Sequence, residues 1–173
     1  MALLNSNALA KQVTSLKELT KKRRVKLDKR LSEIVSNSSK LKHYFELVKS
    51  IPGVGDQTAY YLLVYTRNFT RLTDPRKFAC YAGVAPFKHE SGSSIRRKTR
   101  VSHIANKTMK GLLHMGAMNA IKVDPELKHY YLTKVDSGKA KMSALNAVRN
   151  KIIHRIFAVI KRGTPFVNRP VFN

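Results

Sequence analysis

The sequence predicts an all-α fold, in which a long N-terminal coiled-coil-type helix precedes a compact helical domain. Three observations carry this. Apolar residues recur at three- and four-residue spacing through most of the chain, the period of a one-sided helix. Asp74-Pro75 and Asp124-Pro125 each pair a capping carboxylate with a proline suited to the first helical position, while Gly83, Gly138 and Gly163 stand where helices should stop. No stretch offers a convincing run of alternating apolar and polar residues, so no strand is expected.

The first helix should run from Ser6 to about Val35. Its stripe is Leu9, Val13, Leu16, Leu27, Leu31 and Ile34, interrupted where Thr20 and Arg23 take the next places. Such a stripe wants a helical partner, either a second copy of the chain or the chain's own domain. Residues 1–40 therefore read as a coiled-coil or linker helix, 41–166 as the domain and 167–173 as a tail. After the turn Ser36-Asn37-Ser38-Ser39, a second helix carries Leu41, Tyr44, Phe45 and Val48 and stops at Ile51-Pro52-Gly53. A third, about 56–68, should bury Ala59, Leu62, Leu63 and Tyr65. Adjacent aromatics on a helix cannot both face inward, so one of Tyr60/Tyr61 and one of Tyr130/Tyr131 should be exposed.

A short helix from Pro75 follows and holds Cys80 as a small core residue. Residues 84 to about 102 lack any period and contain Pro86 and Gly92; they read as one long loop, a length usually reserved for function. Helical spacing resumes over 107–123, where Met109, Leu112, Leu113, Met115 and Met118 are expected to pack, as is Met142 further on. Asp124-Pro125 opens a helix through Lys134. The last helix, about 140–161, should bury Leu145, Val148, Ile152, Ile153, Ile156, Phe157 and Ile160.

Composition narrows the partners. The chain has 173 residues, 43% of them hydrophobic, which suffices for one folded domain with a helical appendage. Lysine and arginine number 34 against 10 acidic residues, a net charge of +24 that opposes compaction unless a polyanion neutralises it. DNA, RNA and an anionic membrane surface are the candidates. No apolar run approaches the roughly 18–20 residues that span a bilayer, and the start lacks the pattern of a signal peptide. A lone cysteine excludes a disulfide framework and a cysteine-cluster zinc site. The expectation is a cytoplasmic, nucleoid-associated nucleic-acid binder without a membrane segment. Lys21 to Arg24 and Arg96 to Arg100 are its densest basic runs.

Two motifs point to chemistry. In Ile51-Pro52-Gly53-Val54-Gly55, between two helices, glycines admit a tight turn, and the N–H groups there and at the next helix start can meet a phosphate. This resembles the helix-hairpin-helix of DNA-binding proteins and makes Pro52, Gly53, Val54 and Gly55 candidate DNA contacts. A structural turn between packed helices is the plainer reading. The second motif runs from Tyr81-Ala82-Gly83-Val84-Ala85-Pro86 through His89-Glu90-Ser91-Gly92-Ser93-Ser94 to the basic run. A serine beside a glycine and next to cations suits attack on a phosphodiester, provided a base removes its proton and cations stabilise the phosphoryl group. Ser91 is the candidate nucleophile, with Ser93 and Ser94 as alternatives. Gly92, Arg96, Arg97, Lys98 and Arg100 are candidate DNA contacts, and His89 is a candidate base. Asp56, Asp74, Asp124 and Glu126 sit at helix starts, where capping and dipole pairing are their expected work, so no metal site is assigned.

The order of these motifs resembles the C-terminal transposase domain of the insertion-sequence-one-ten family, the bridge-RNA-guided recombinases that include the Piv-type DNA invertases. The likeness continues in Asp124-Pro125-Glu126-Leu127, Tyr130-Tyr131, Gly138-Lys139 and Ala144 to Lys151, and covers roughly residues 45–166. It departs at Asn106, Thr108 and Leu113, where many relatives carry Lys, Gly and Arg. The resemblance implies DNA transposition by strand exchange through a phosphoserine link at Ser91. It also implies a guide RNA and magnesium held by the carboxylates of a separate RuvC-like domain; this chain itself is expected to bind no cofactor. The chain begins too late to contain that domain, so it reads as a fragment or a truncated element, inactive alone and paired through its N-terminal helix. The alternative is a binding module for DNA or structured RNA that catalyses nothing.

Overall fold

Helices begin and end where side chains or left-handed residues can close a ladder that otherwise leaves backbone groups unpaired. In a computed structural model of the chain, the backbone is described for residues 2–91, 95–101 and 104–168, and side chains for 7–85 and 104–168. The elements are α1 (Ala2–Ser36), α2 (Ser39–Lys49), α3 (Asp56–Thr66), α4 (Pro75–Tyr81), β1 (Pro86–Ser91), β2 (Ile95–Val101), α5 (Lys107–Val123), α6 (Pro125–Asp136) and α7 (Lys141–Arg162). The fold is helical as the sequence predicts. By contacts the chain divides into Met1–Lys42 and His43–Asn173.

In the first unit, α1 leaves Leu9, Val13, Leu16, Leu27, Leu31 and Ile34 exposed. Thr14 and Thr20 turn their hydroxyls back onto carbonyls one turn earlier.

The second unit is built around α7. Its buried face holds Leu145, Val148, Ile152, Ile153, Ile156 and Phe157, as expected, with α4, α5 and α6 packed against it. Asp74 caps α4 by accepting from Arg76 N at 2.6 Å, and Asp124 caps α6 by accepting from Leu127 N at 3.0 Å. Asn106, at one departure from the family pattern, caps α5 by accepting from Met109 N.

Four expectations need correction. Residues 86–101 are not a loop but an antiparallel hairpin: Pro86 pairs with Val101, Phe87 with Arg100, His89 with Arg97, Glu90 with Arg96 and Ser91 with Ile95. The register shifts between Phe87 and His89, so β2 carries one residue more than β1 there, a bulge. Alternation is hidden in the sequence because this strand pair is mostly polar and basic.

Met115, Met118 and Met142 are exposed rather than packed. On α5 Met109 and Leu113 are buried as expected, and the stripe continues through Gly116, Ala117 and Ala120, where Gly53 lies too close to Gly116 and Ala120 for a large side chain. Neither tyrosine pair has an exposed member: all four are half-buried, Tyr60 stacking on Phe45 with centroids 4.8 Å apart and Tyr61 tilting against Tyr65. Half-burial lets neighbours straddle the edge of a packed face. Cys80 is likewise half-buried, not core.

After α3 the chain takes a turn that composition gives no reason to expect. Arg67, Asn68 and Phe69 all have positive φ, at 50°, 54° and 59°. Each such residue costs roughly 1–2 kcal/mol. Phe69 offsets this by burying its ring edge-on against Tyr44 and Phe157, while its N–H donates to the Thr66 hydroxyl.

Candidate nucleic-acid interface

The glycine turn between α2 and α3 is a hydrogen-bonded reversal, with Val54 N donating to Ile51 O at 3.0 Å and Gly53 at φ +88°. Proline at the second place and a positive-φ glycine at the third are the residues this turn requires. The two glycines serve different ends. A Cβ on Gly53 would fall 2.3 Å from the Gly116 carbonyl oxygen, so Gly53 is held against α5. Gly55 is exposed, has open space around its Cβ position, and precedes α3 without a side-chain cap. Phosphate-facing N–H groups would therefore come from the Gly55 side of the turn. Asp56, in the first turn of α3, is paired with Lys49 at 2.5 Å, which lowers the local negative charge.

The serine hairpin grows from an anchored root. Val84 N and Ala85 N both donate to Ala79 O, and Asn146 Nδ2 donates to Val84 O at 2.7 Å. On the other side, Asn106 N donates to Tyr81 O and Asn106 Nδ2 to the Tyr81 hydroxyl at 2.9 Å. From this root β1 runs to Ser91, its last residue, opposite Ile95; Arg96, Arg97, Lys98 and Arg100 follow on β2. Gly92, Ser93 and Ser94 lie outside the described residues. For His89, Ser91 and the four basic residues of β2, the backbone register is what the structure supplies.

The carboxylates are committed elsewhere. Asp124, 1% exposed, takes Arg155 Nη1 on Oδ2 at 2.5 Å, and Arg155 Nη2 reaches Glu126 Oε2 at 2.7 Å. Lys151 Nζ donates to Glu126 Oε1 at 2.9 Å and lies 4.6 Å from the Tyr130 ring centroid. The Lys151 hydrogen bond is the main cause holding the Glu126 carboxyl below its ordinary pKa, against the opposing effect of burial. Among the described residues no three His, Cys, Asp or Glu converge as metal ligands. With their oxygens on arginine, lysine and helix N–H groups, Asp124, Glu126 and Asp74 do not fit a metal.

An open cleft of about 1170 Å³ lies beside the hairpin root, walled by α4, α5 and α7. Among the described residues its ionisable lining is Arg76, Lys110, Lys139, Arg149 and His154, with Cys80, Ser143, Asn146 and Asn150 among them, and no carboxylate. Arg149 is only 5% exposed. It donates to Asn146 Oδ1 at 3.2 Å and to His114 Nδ1 at 2.7 Å, so the neutral His114 ring carries its proton on Nε2; among the described residues Arg149 Nε has no partner. Burial lowers the Arg149 pKa. The signal available in the sequence was a lone arginine within the apolar stripe of α7.

No helix among the described residues is long and apolar enough to cross a membrane. Comparison with known proteins matches residues 45–132, just over half of the chain, to the family described as Transposase IS116/IS110/IS902. The chain is 28% identical over 144 residues to a pilin gene-inverting protein of Moraxella bovis, covering 83% of this chain and 45% of that one. It is 31% identical over 123 residues to an insertion element IS110 43.6 kDa protein of Streptomyces coelicolor, covering 71% and 30%. An insertion element IS116 44.8 kDa protein of Streptomyces clavuligerus is 23% identical over 125 residues. The chain thus spans less than half the length of each of these relatives.

Proposed function

This chain belongs to the IS116/IS110/IS902 transposase family, and from that premise we propose that it is the DNA-binding, serine-bearing part of a recombinase. Ser91 is the nucleophile. The observation that carries this reading is the hairpin: Ser91 closes β1 while the strand paired with it begins a run of four cations, Arg96, Arg97, Lys98 and Arg100.

In the step proposed, Ser91 Oγ attacks the phosphorus of a DNA phosphodiester and forms a phosphoserine ester. The displaced deoxyribose oxygen departs with the proton, and one P–O bond replaces another. Reversal by a different deoxyribose hydroxyl completes strand exchange. The β2 cations stabilise charge on the phosphoryl oxygens, and His89 is the proposed acceptor of the serine proton. The Gly55 side of the α2–α3 turn holds a phosphate further along the duplex.

Activity in this reading needs a separate RuvC-like domain, which supplies magnesium on its own carboxylates, and a guide RNA that selects the target. Alone, the chain binds DNA and does not cut it. α1 pairs with a second copy, since its apolar stripe is exposed.

The test is to supply the RuvC-like domain, guide RNA and end-labelled DNA, then denature and look for protein-bound label. A covalent adduct should form with the natural chain and vanish in Ser91→Ala while DNA binding persists. An adduct that survives Ser91→Ala would move the chemistry to Ser93, Ser94 or a tyrosine.

A further inference from the structure

We propose that the cleft walled by α4, α5 and α7 binds a phosphate of the DNA strand presented to Ser91, with the Arg149 guanidinium as its floor. This deepens the DNA-binding reading and rests on it.

Three independent features converge on an anion. The first is an uncompensated buried charge. Elsewhere on α7, Arg155 and Lys151 are answered within the fold by Asp124 and Glu126. Among the described residues Arg149 meets only neutral acceptors, Asn146 Oδ1 and His114 Nδ1, and its Nε meets none. A buried cation without a counter-charge is costly, and among the described residues no acidic one lines the cleft to relieve it. An anionic ligand would supply the negative charge that the described residues do not.

The second feature is the start of α7. Ala140 stands at the cap position and makes no side-chain cap hydrogen bond. Lys139, Ala140, Met142 and Ser143 all line the cleft. The N-terminal end of a 22-residue helix, with its positive dipole end, therefore opens into the same space as Arg149, although Ser143 N already donates to Ala140 O at 2.8 Å.

The third feature is connection to the hairpin. Asn146 spends its amide nitrogen on Val84 O and its amide oxygen on Arg149 Nη1. One side chain thus ties the buried cation to the root from which β1 departs. Ser91 lies at the far end of β1 from Ala85, at most about 20 Å along the strand. At roughly 3.4 Å per phosphate along one strand of a duplex, that is about six phosphates. The cleft is open and larger than the roughly 300–1,000 Å³ of small-molecule pockets, which suits a polymer backbone entering from the side better than an enclosed phosphate or nucleotide.

Arg149 variants risk unfolding, so the rim is the place to intervene. The full chain, labelled with nitrogen-15, is titrated with a short DNA duplex while the Arg149 Nε–H signal and the Lys141, Met142 and Ser143 amides are followed. All four should shift. Lys110→Ala/Lys139→Ala should abolish those shifts and lower the slope of log affinity against log salt by about 1–2, at about 0.9 for each phosphate no longer neutralised. The charge-matched Lys11→Ala/Lys17→Ala should leave the four shifts in place. Unmoved signals at these four positions, with movement at the hairpin or Gly55, would overturn the cleft while sparing DNA binding. Absence of any duplex binding sinks both readings. Movement with structured RNA or inorganic phosphate but not with duplex DNA also overturns the proposal.

Discussion

Gly53 and Gly116 meet backbone to backbone: a Cβ on Gly53 would lie 2.3 Å from the Gly116 oxygen, and one on Gly116 would lie 2.6 Å from the Gly53 oxygen. The turn after α2 is thereby locked onto the middle of α5. Gly53→Ala combines this overlap with a side chain at φ +88°, and the two penalties add to roughly 2–5 kcal/mol. Gly116→Ala lacks the dihedral cost and should lose roughly 1–3 kcal/mol by overpacking. Gly55→Ala meets nothing within 4 Å and should change stability by no more than about 1 kcal/mol, as a weaker helix cap. Urea midpoints of the three variants give the order, and a Gly55 variant as damaging as Gly53→Ala would contradict it.

The Asp124–Arg155 pair closes the start of α6 onto α7. Asp124 spends one oxygen on the helix cap and the other on the guanidinium. Asp124→Ala removes both and leaves a part-buried arginine with Glu126 alone, a loss of roughly 3–5 kcal/mol. Asp124→Asn keeps an amide oxygen for Leu127 N and should cost less. Thermal melts of the two variants separate cap from charge: equal losses would show that the ion pair carries the whole effect.

Stability should fall in acid through Glu126. Its folded pKa is depressed, chiefly by the hydrogen bond from Lys151 with help from Arg155. A depressed carboxyl contributes stability that is present above its unfolded pKa, about 4.3, and lost as pH falls through the lower folded value. Unfolding free energy measured from about pH 6 downward should therefore decline below about pH 4, and Glu126→Gln should flatten part of that decline. An unchanged acid limb in Glu126→Gln would show that other carboxylates account for it.

Which parts of this molecule were legible in its sequence follows from how local each determinant is. Caps at Asp74 and Asp124 and the apolar face of α7 are written within a few adjacent residues, and the helices fall where those signals stand. The β-hairpin was missed because its pairs, such as His89 with Arg97 and Glu90 with Arg96, carry no apolar alternation. The left-handed run Arg67–Phe69 depends on where Phe69 is pulled, between Tyr44 and Phe157, and nothing in its own residue types announces it. Gly53 was singled out correctly as special, yet the cause of its special geometry lies across the fold at Gly116. The cleft was invisible for the same reason: Asn146 meets Val84 from 62 residues away, and a charge on an apolar helix face does not declare whether a carboxylate will answer it.

Hairpin presentation offers a prediction of its own. Asn106 holds the far side of the hairpin root through Tyr81 and caps α5 with the same side chain. Asn106→Asp should preserve the cap and lose the donor to the Tyr81 hydroxyl, whereas Asn106→Ala should lose both, at roughly 1 kcal/mol for the cap. Amide exchange protection across residues 86–101 should drop in both variants. A drop in Asn106→Ala alone would assign the anchoring to the cap and not to the tyrosine.

The stripe on α1 carries the last prediction. Leu9, Val13, Leu16, Leu27, Leu31 and Ile34 are exposed on a helix with nine basic residues against three acidic ones. Pairing of two copies would bury the stripe but bring like charges together. Repulsion between exposed charges is screened within about 10 Å at roughly 0.1 M salt and within about 3 Å at 1 M. Self-association should therefore strengthen as salt rises, opposite to DNA binding, which weakens. Sedimentation of the full chain across a salt series reads this directly. Leu16→Glu/Leu27→Glu should leave a monomer at every salt concentration, because it breaks the apolar seam on both sides of Thr20 and Arg23. Association that persists in that variant, or that weakens with salt, would place the interface elsewhere and return α1 to the role of a linker.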